Sequence, residues 1–170
     1  MSETRRLIAD RVCADPGIHF SALVRDLDLA PGQVQYHVRR LSDAGDAVEE
    51  RYYGQTHYYP PGYDEWDQRA LALLRRETAA DVVQALADAG PARPAAVADE
   101  VGVARSTLEW HLDRLVDAGL VQKRRDDRGR VTLALAQPDE TARLLAAATP
   151  TPVGRLVDRF TRLVDALLEQ

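Results

Sequence analysis

The chain repeats itself. Displaced by 74 positions, Tyr36-His37-Val38-Arg39-Arg40-Leu41-Ser42-Asp43-Ala44-Gly45 falls on Trp110-His111-Leu112-Asp113-Arg114-Leu115-Val116-Asp117-Ala118-Gly119, and six of these ten pairs are identical. Upstream, Leu27-Asp28-Leu29-Ala30 falls on Val101-Gly102-Val103-Ala104, and Leu23 on Val97. Two copies of one small unit is the economical reading, and it confines each copy to a core that about 60 residues can close. The copies are expected over 1–60 and 78–137, with a linking helix over 61–77 and further helices over 138–170.

Within the first copy, Leu7, Ile8 and Val12 have near-helical spacing over 3–14, and Asp15-Pro16-Gly17 stops that helix. Ser21 is a candidate N-cap for a short helix over 22–27 with Leu23, Val24 and Leu27 inward. Asp28 stands where the second copy has Gly102, and both residues tolerate positive φ, so a tight turn is expected there. A third helix over 31–44 carries Val34, His37, Val38, Leu41 and Ala44 on one stripe, and Gly45 ends it. Strands at 48–53 and 56–59 flank Gly54-Gln55. The second copy reads as helices near 78–89, 95–100 and 105–118, then a hairpin of Leu120–Arg125 and Arg130–Leu135. The fold expected is mainly α with small β-hairpin wings: two tandem winged helix-turn-helix domains plus C-terminal helices.

Composition narrows the class. Hydrophobic residues are 45% and charged residues 29% of the 170, the balance of a folded soluble chain. No apolar run reaches the roughly 18 residues of a membrane span and no signal core opens the chain, so a cytoplasmic protein without membrane contact is expected. Cys13 stands alone, which leaves no internal disulfide and no multi-cysteine metal site. No cofactor motif, glycine-rich phosphate loop, H-E-x-x-H or nucleophile elbow occurs, so no enzyme is expected. The 27 acids exceed the 22 bases, giving a net charge of −5, and Lys123 is the only lysine. An acidic, lysine-poor chain fits a salt-rich cell, and base-composition drift gives the same pattern.

Ser106-Thr107-Leu108-Glu109-Trp110-His111-Leu112-Asp113-Arg114-Leu115-Val116-Asp117-Ala118-Gly119-Leu120-Val121 resembles the recognition-helix signature of MarR/ArsR-type winged-helix transcriptional regulators. Ala70–Thr78 resembles the lead-in to that domain in archaeal tandem winged-helix regulators. The resemblance spans 5–137 in two copies and implies binding to double-stranded DNA. The first copy departs from it, with Gly32-Gln33-Val34-Gln35-Tyr36 where serines and threonines are usual.

The candidate DNA contacts lie off the core stripes. In the first copy they are Gln33, Gln35, Tyr36, Arg39 and Arg40, a stretch without acids. Glutamine can pair with adenine, and arginine with guanine or phosphate. In the second copy they are Arg105, Ser106, Thr107 and Arg114, with Glu109 and Asp113 opposing phosphate. Lys123, Arg124, Arg125, Arg128 and Arg130 make the second wing basic, while the tyrosines of the first wing are expected to pack on its own helices. His37 and His111 are read as packed rings and Cys13 as a small buried hydrophobe. A tandem winged-helix module that binds protein instead of DNA is the alternative, favoured by the acidic total.

The last helix, expected over 153–168, carries Leu156, Val157, Phe160, Leu163, Val164, Leu167 and Leu168 as one apolar stripe. Leu144 and Leu145 of the preceding helix could cover part of it within the chain. The stripe is wider than two leucines, so a homodimer through this helix is expected.

Overall fold

The computed structural model describes residues 1–147 and, beyond them, Val164. The chain divides into two compact units, Met1–Ala72 and the portion from Leu73 onward. Each is a winged helix-turn-helix.

In the first unit α1 (Glu3–Ala14) starts at Ser2, whose side chain accepts a hydrogen bond from the Arg5 N–H. Ile8 and Val12 enter the core, but Leu7 is 49% exposed. Leu7 lies one residue, or about 100°, around the helix from Ile8, at the edge of the core-facing stripe. Cys13 stands in the same relation to Val12 and is exposed, not buried as expected.

Two residues, Ile18 and His19, form a short strand, β1, that periodicity does not reveal. It forces a second correction. The cap of α2 (Phe20–Leu27) is His19, not Ser21: the His19 Nδ1 accepts from the Ala22 N–H, and the Ser21 hydroxyl lies 2.8 Å from that nitrogen. Strand pairing holds His19 extended, so the helix can begin immediately after it. Asp28 then takes the left-handed conformation (φ 51°), as Gly102 does in the second unit (φ 77°).

Helix α3 (Pro31–Ala44) opens on a proline that needs no amide partner, and the Gln33 side chain accepts from the Ala30 N–H. Val34, Val38 and Leu41 are buried. His37 is half-buried and Ala44 is exposed, so the stripe is narrower than expected. Strands β2 (Val48–Tyr52) and β3 (Gln55–Tyr59) pair antiparallel, and β1 joins the other side of β3. The hairpin turn is Tyr53-Gly54, both at positive φ, one residue earlier than expected. That is the geometry a two-residue hairpin requires. Helix α4 (Glu65–Leu74) ties its first turns to this sheet, since the Tyr52 and Tyr59 hydroxyls donate to the side chain and carbonyl of Gln68.

The second unit repeats the order with α5 (Glu77–Ala89), α6 (Pro94–Val101), α7 (Arg105–Asp117), β4 (Val121–Arg125) and β5 (Val131–Leu135). An Ala92–Leu133 bridge with two backbone hydrogen bonds, 3.0 and 2.7 Å, stands where β1 pairs with β3 in the first unit. Helix α8 (Pro138–Ala147) packs on α5 and buries Leu144 completely. The helix expected over 153–168 lies outside the described residues apart from Val164, which is helical and exposed.

Gly17 sits in a crowded turn. At φ 90° it faces the Leu71 Cβ and the Tyr59 ring, which an added Cβ would meet at 3.2 and 3.3 Å. Gly17→Ala should lower unfolding free energy by about 1–3 kcal/mol through backbone strain and overpacking. Urea denaturation measures this, and an unchanged midpoint would show that the turn can relax.

Candidate nucleic-acid interface

The two third helices place homologous side chains in different electrostatic settings. On α3, Gln35, Tyr36, Arg39 and Arg40 all project outward, with Tyr36 56% exposed. Arg39 and Arg40 form no ion pair among the described residues. Gln33 is exposed too, but its carbonyl oxygen is engaged at the helix start. The α3 face therefore presents amide and guanidinium donors with nothing of opposite charge holding them.

On α7 the equivalent face is engaged with its own surroundings. Glu109 accepts from Lys123 at 2.8 Å and lies 3.6 Å from Arg105. The hydrogen bond from Lys123 holds the Glu109 carboxyl below the usual carboxylate range, and Arg105 adds to the effect. Arg114 lies 3.6 Å over the Trp110 ring and donates to the Trp110 carbonyl, and Arg76 approaches the same ring at 5.1 Å. Such cation–π contacts fix guanidinium groups that would otherwise swing freely. Ser106 is exposed at the start of α7, and Thr107 is half-buried. Lys123 thus faces the helix instead of extending the basic hairpin, a tie that no sequence spacing announces.

The repeated aromatic–histidine pair has one geometry in both units. Tyr36 meets His37 edge-on at 5.0 Å, and Trp110 meets His111 edge-on at 4.8 Å. His111 is buried and His37 is half-buried, so both rings belong to the packing of the third helix.

The wings also differ. In the first unit Tyr58 and Tyr59 are buried, Tyr52 bonds Gln68, and Arg51 donates to the Gly54 carbonyl. In the second, Asp126 organises the turn: it accepts from the Arg128 and Arg130 amides and pairs with the Arg130 side chain at 2.7 Å. Those bonds, the Arg130 amide first, lower the Asp126 pKa. Arg130 is consumed in this turn. Arg124 and Arg125 hold only polar neighbours, Gln122 and the Gly129 carbonyl, and with Arg128 they have no ion pair among the described residues. No described helix is long and apolar enough to cross a membrane.

A winged unit repeated in tandem, each with an outward third helix, defines the class: this is a tandem helix-turn-helix protein. Residues 2–71 match a family described as an N-terminal HTH domain, and residues 73–124 match a helix-turn-helix domain family. The uncharacterized HTH-type transcriptional regulator MJ1398 of Methanocaldococcus jannaschii is 25% identical over 126 residues, which is 74% of this chain and 32% of the relative. The chain therefore spans about a third of that relative's length. Among solved structures, ScpB from Mycobacterium tuberculosis aligns with 16% identity over 84% of this chain and 94% of its own, at a TM-score of 0.33. Disulfide-formed AbfR aligns with 14% identity over 88% and 99%, at a TM-score of 0.37. Scores this low add nothing to the assignment.

The Glu109–Lys123 tie has a measurable signature. The folded pKa of Glu109 is depressed, so its stabilisation is present above the unfolded-state value and is lost as pH falls through the folded value. Lys123→Met should move the Glu109 carboxyl titration, followed by NMR, up toward the ordinary glutamate value. Stability at neutral pH should change by less than about 1 kcal/mol, because the pair is largely solvated. An unmoved titration would make Arg105 the dominant partner.

Proposed function

We propose that the chain is a sequence-specific double-stranded-DNA-binding transcriptional regulator of the MarR/ArsR-like winged-helix kind. One observation carries the reading: the outer face of α3 presents Gln35, Tyr36, Arg39 and Arg40 to solvent, and neither arginine is held in an ion pair among the described residues. These are the donors that read base edges in a major groove, and an α-helix is the element that fits there. The net charge of −5 does not oppose this, because it averages over faces that never meet DNA, and residues 29–42 carry no acid.

The remaining candidates take supporting roles. Gln33 orders the first turn of α3 while its amide nitrogen stays outward. Arg105, Ser106 and Thr107 stand at the start of α7, where backbone amides and hydroxyls suit phosphate. Arg114 and Lys123 would have to leave Trp110 and Glu109 to contact DNA. Arg124, Arg125 and Arg128 are the wing's free cations, suited to phosphate or a narrow minor groove, with Arg130 holding the turn that presents them.

Binding assays across a salt series separate these roles. With a site selected from random duplexes, Arg39→Ala or Arg40→Ala should weaken binding by about tenfold or more where the side chain contacts a base. Gln in place of Arg124 and Arg125 should weaken all sequences alike and reduce the salt slope by about one per lost phosphate contact. A parent chain with no affinity for any duplex would end this reading.

Assembly follows from the apolar stripe of the C-terminal segment. Leu156, Val157, Phe160, Leu163, Val164 and Leu167 would pair with the same residues of a second chain, and a two-fold dimer would read a pseudo-palindromic site. Within the chain, Leu144 and Leu145 are the alternative partners for part of this stripe; Leu144 is buried and Leu145 half-buried. Phe160→Glu with Leu163→Glu should give a monomer by sedimentation with both winged units folded. A parent that sediments as a monomer at micromolar concentration would return the stripe to an intrachain role.

A further inference from the structure

We propose that the groove between the start of α2, α3 and the wing of the first unit binds a small amine-bearing cation, and that its occupant lowers DNA affinity by engaging Gln35. The second half rests on the reading of α3 as the base reader; the first half does not.

The groove measures about 310 Å3, the lower end of the range for small-molecule sites. Tyr58 is one of its lining residues. The residue is 3% exposed, yet it lines the groove, and its hydroxyl has no hydrogen-bond partner among the described residues. A ligand in the groove can take the place of water at that hydroxyl. Burial, then the neighbouring Glu49, pushes the Tyr58 pKa up to about 12, so the phenol stays neutral and can both donate and accept.

The charge of the lining selects the ligand. Glu49, opposite Tyr58 in the β2–β3 register, is the only carboxylate among the lining residues, and no lysine or arginine joins it. The His19 Nδ1 accepts the Ala22 amide, so that nitrogen carries no proton in this arrangement. A phosphate or carboxylate would meet Glu49 uncompensated, while an ammonium would pair with it. The hydroxyls of Ser21 and Thr56 can accept further N–H groups, and the rings of Phe20 and Tyr58 suit a short apolar body beside a cation. Gln35 closes one wall from α3, so an occupant that bonds its amide removes it from base reading. By linkage, DNA bound through Gln35 must weaken the cation to the same degree.

Benzylamine is a suitable probe, with phenylacetate as its anionic counterpart, titrated into the full chain and followed by amide NMR. Benzylammonium should give saturable shifts at His19–Ser21, Gln35, Glu49 and Thr56–Tyr58, and phenylacetate none. Glu49→Gln, an exposed position that leaves the fold intact, should weaken the amine by about tenfold, the loss of one charge-assisted hydrogen bond. Tyr58→Phe keeps the ring and should weaken it about threefold or more. At constant ionic strength, saturating amine should weaken binding of a selected duplex, and Gln35→Ala should remove that effect. Absence of saturable shifts, or equal affinity in Glu49→Gln, would overturn the site. Saturable, Glu49-dependent binding in a chain that binds no duplex would uphold the site and overturn only its regulatory half.

Discussion

The pairing of Ile18 and His19 with β3 is the contact on which the first unit depends. It closes the hairpin against the helices and sets where α2 begins. Gly17 donates from its amide to the Tyr58 carbonyl at 2.8 Å, and His57 donates from Nδ1 to the Gly17 carbonyl at 2.6 Å. Both polar groups of a buried turn are thereby satisfied, as a position out of reach of water requires. At φ 90° beside Leu71 and Tyr59, glycine is the residue that fits the turn without strain. The second unit solves the same problem with a single bridge at Ala92–Leu133, which shows that the third strand belongs to the repeated plan.

Duplication has let the two outward faces diverge while the cores stayed alike. The buried positions of α3 and α7 remain aliphatic, Val34, Val38 and Leu41 against Leu108, Leu112 and Leu115. Off the stripe, Gln35 is replaced by Glu109 and Arg39 by Asp113. Of these two acids, Glu109 draws in Lys123 and Arg105 and so offsets its own charge. Surface positions accept such changes at little cost in stability. The opposite trend holds in the wings, where tyrosines close the first hairpin and arginines extend from the second.

Much of this was legible in the chain itself. Helix periodicity located α1, α3, α5 and α7 to within a residue or so, because each has a continuous apolar stripe bounded by a proline, a glycine or a cap. The left-handed turn at Asp28 followed from its alignment with Gly102. The wing turns followed from Gly54 and Gly129. What escaped were features that depend on a partner distant in sequence. Strand β1 is two residues long and shows no alternation, so only its pairing with β3, 40 residues away in the His57–Gly17 contact, makes it a strand. His19 as a cap, Cys13 and Leu7 as exposed residues, and the end of the α3 stripe before Ala44 follow from where that sheet and the helices meet.

The sequence by itself determined the duplicated winged helix-turn-helix plan, since periodicity and turn chemistry are local and repeat at a fixed offset. It also determined which residues lie off the core stripes. Only the tertiary structure decided which of those side chains remain free. Coulomb and hydrogen-bond energies depend on separation in space, and the Glu109–Lys123 tie, the Arg114–Trp110 stack and the groove at Tyr58 each join residues from different elements or turns. Arg39 and Arg114 read alike as arginines on a helix; packing left the first without an ion pair and laid the second on a tryptophan.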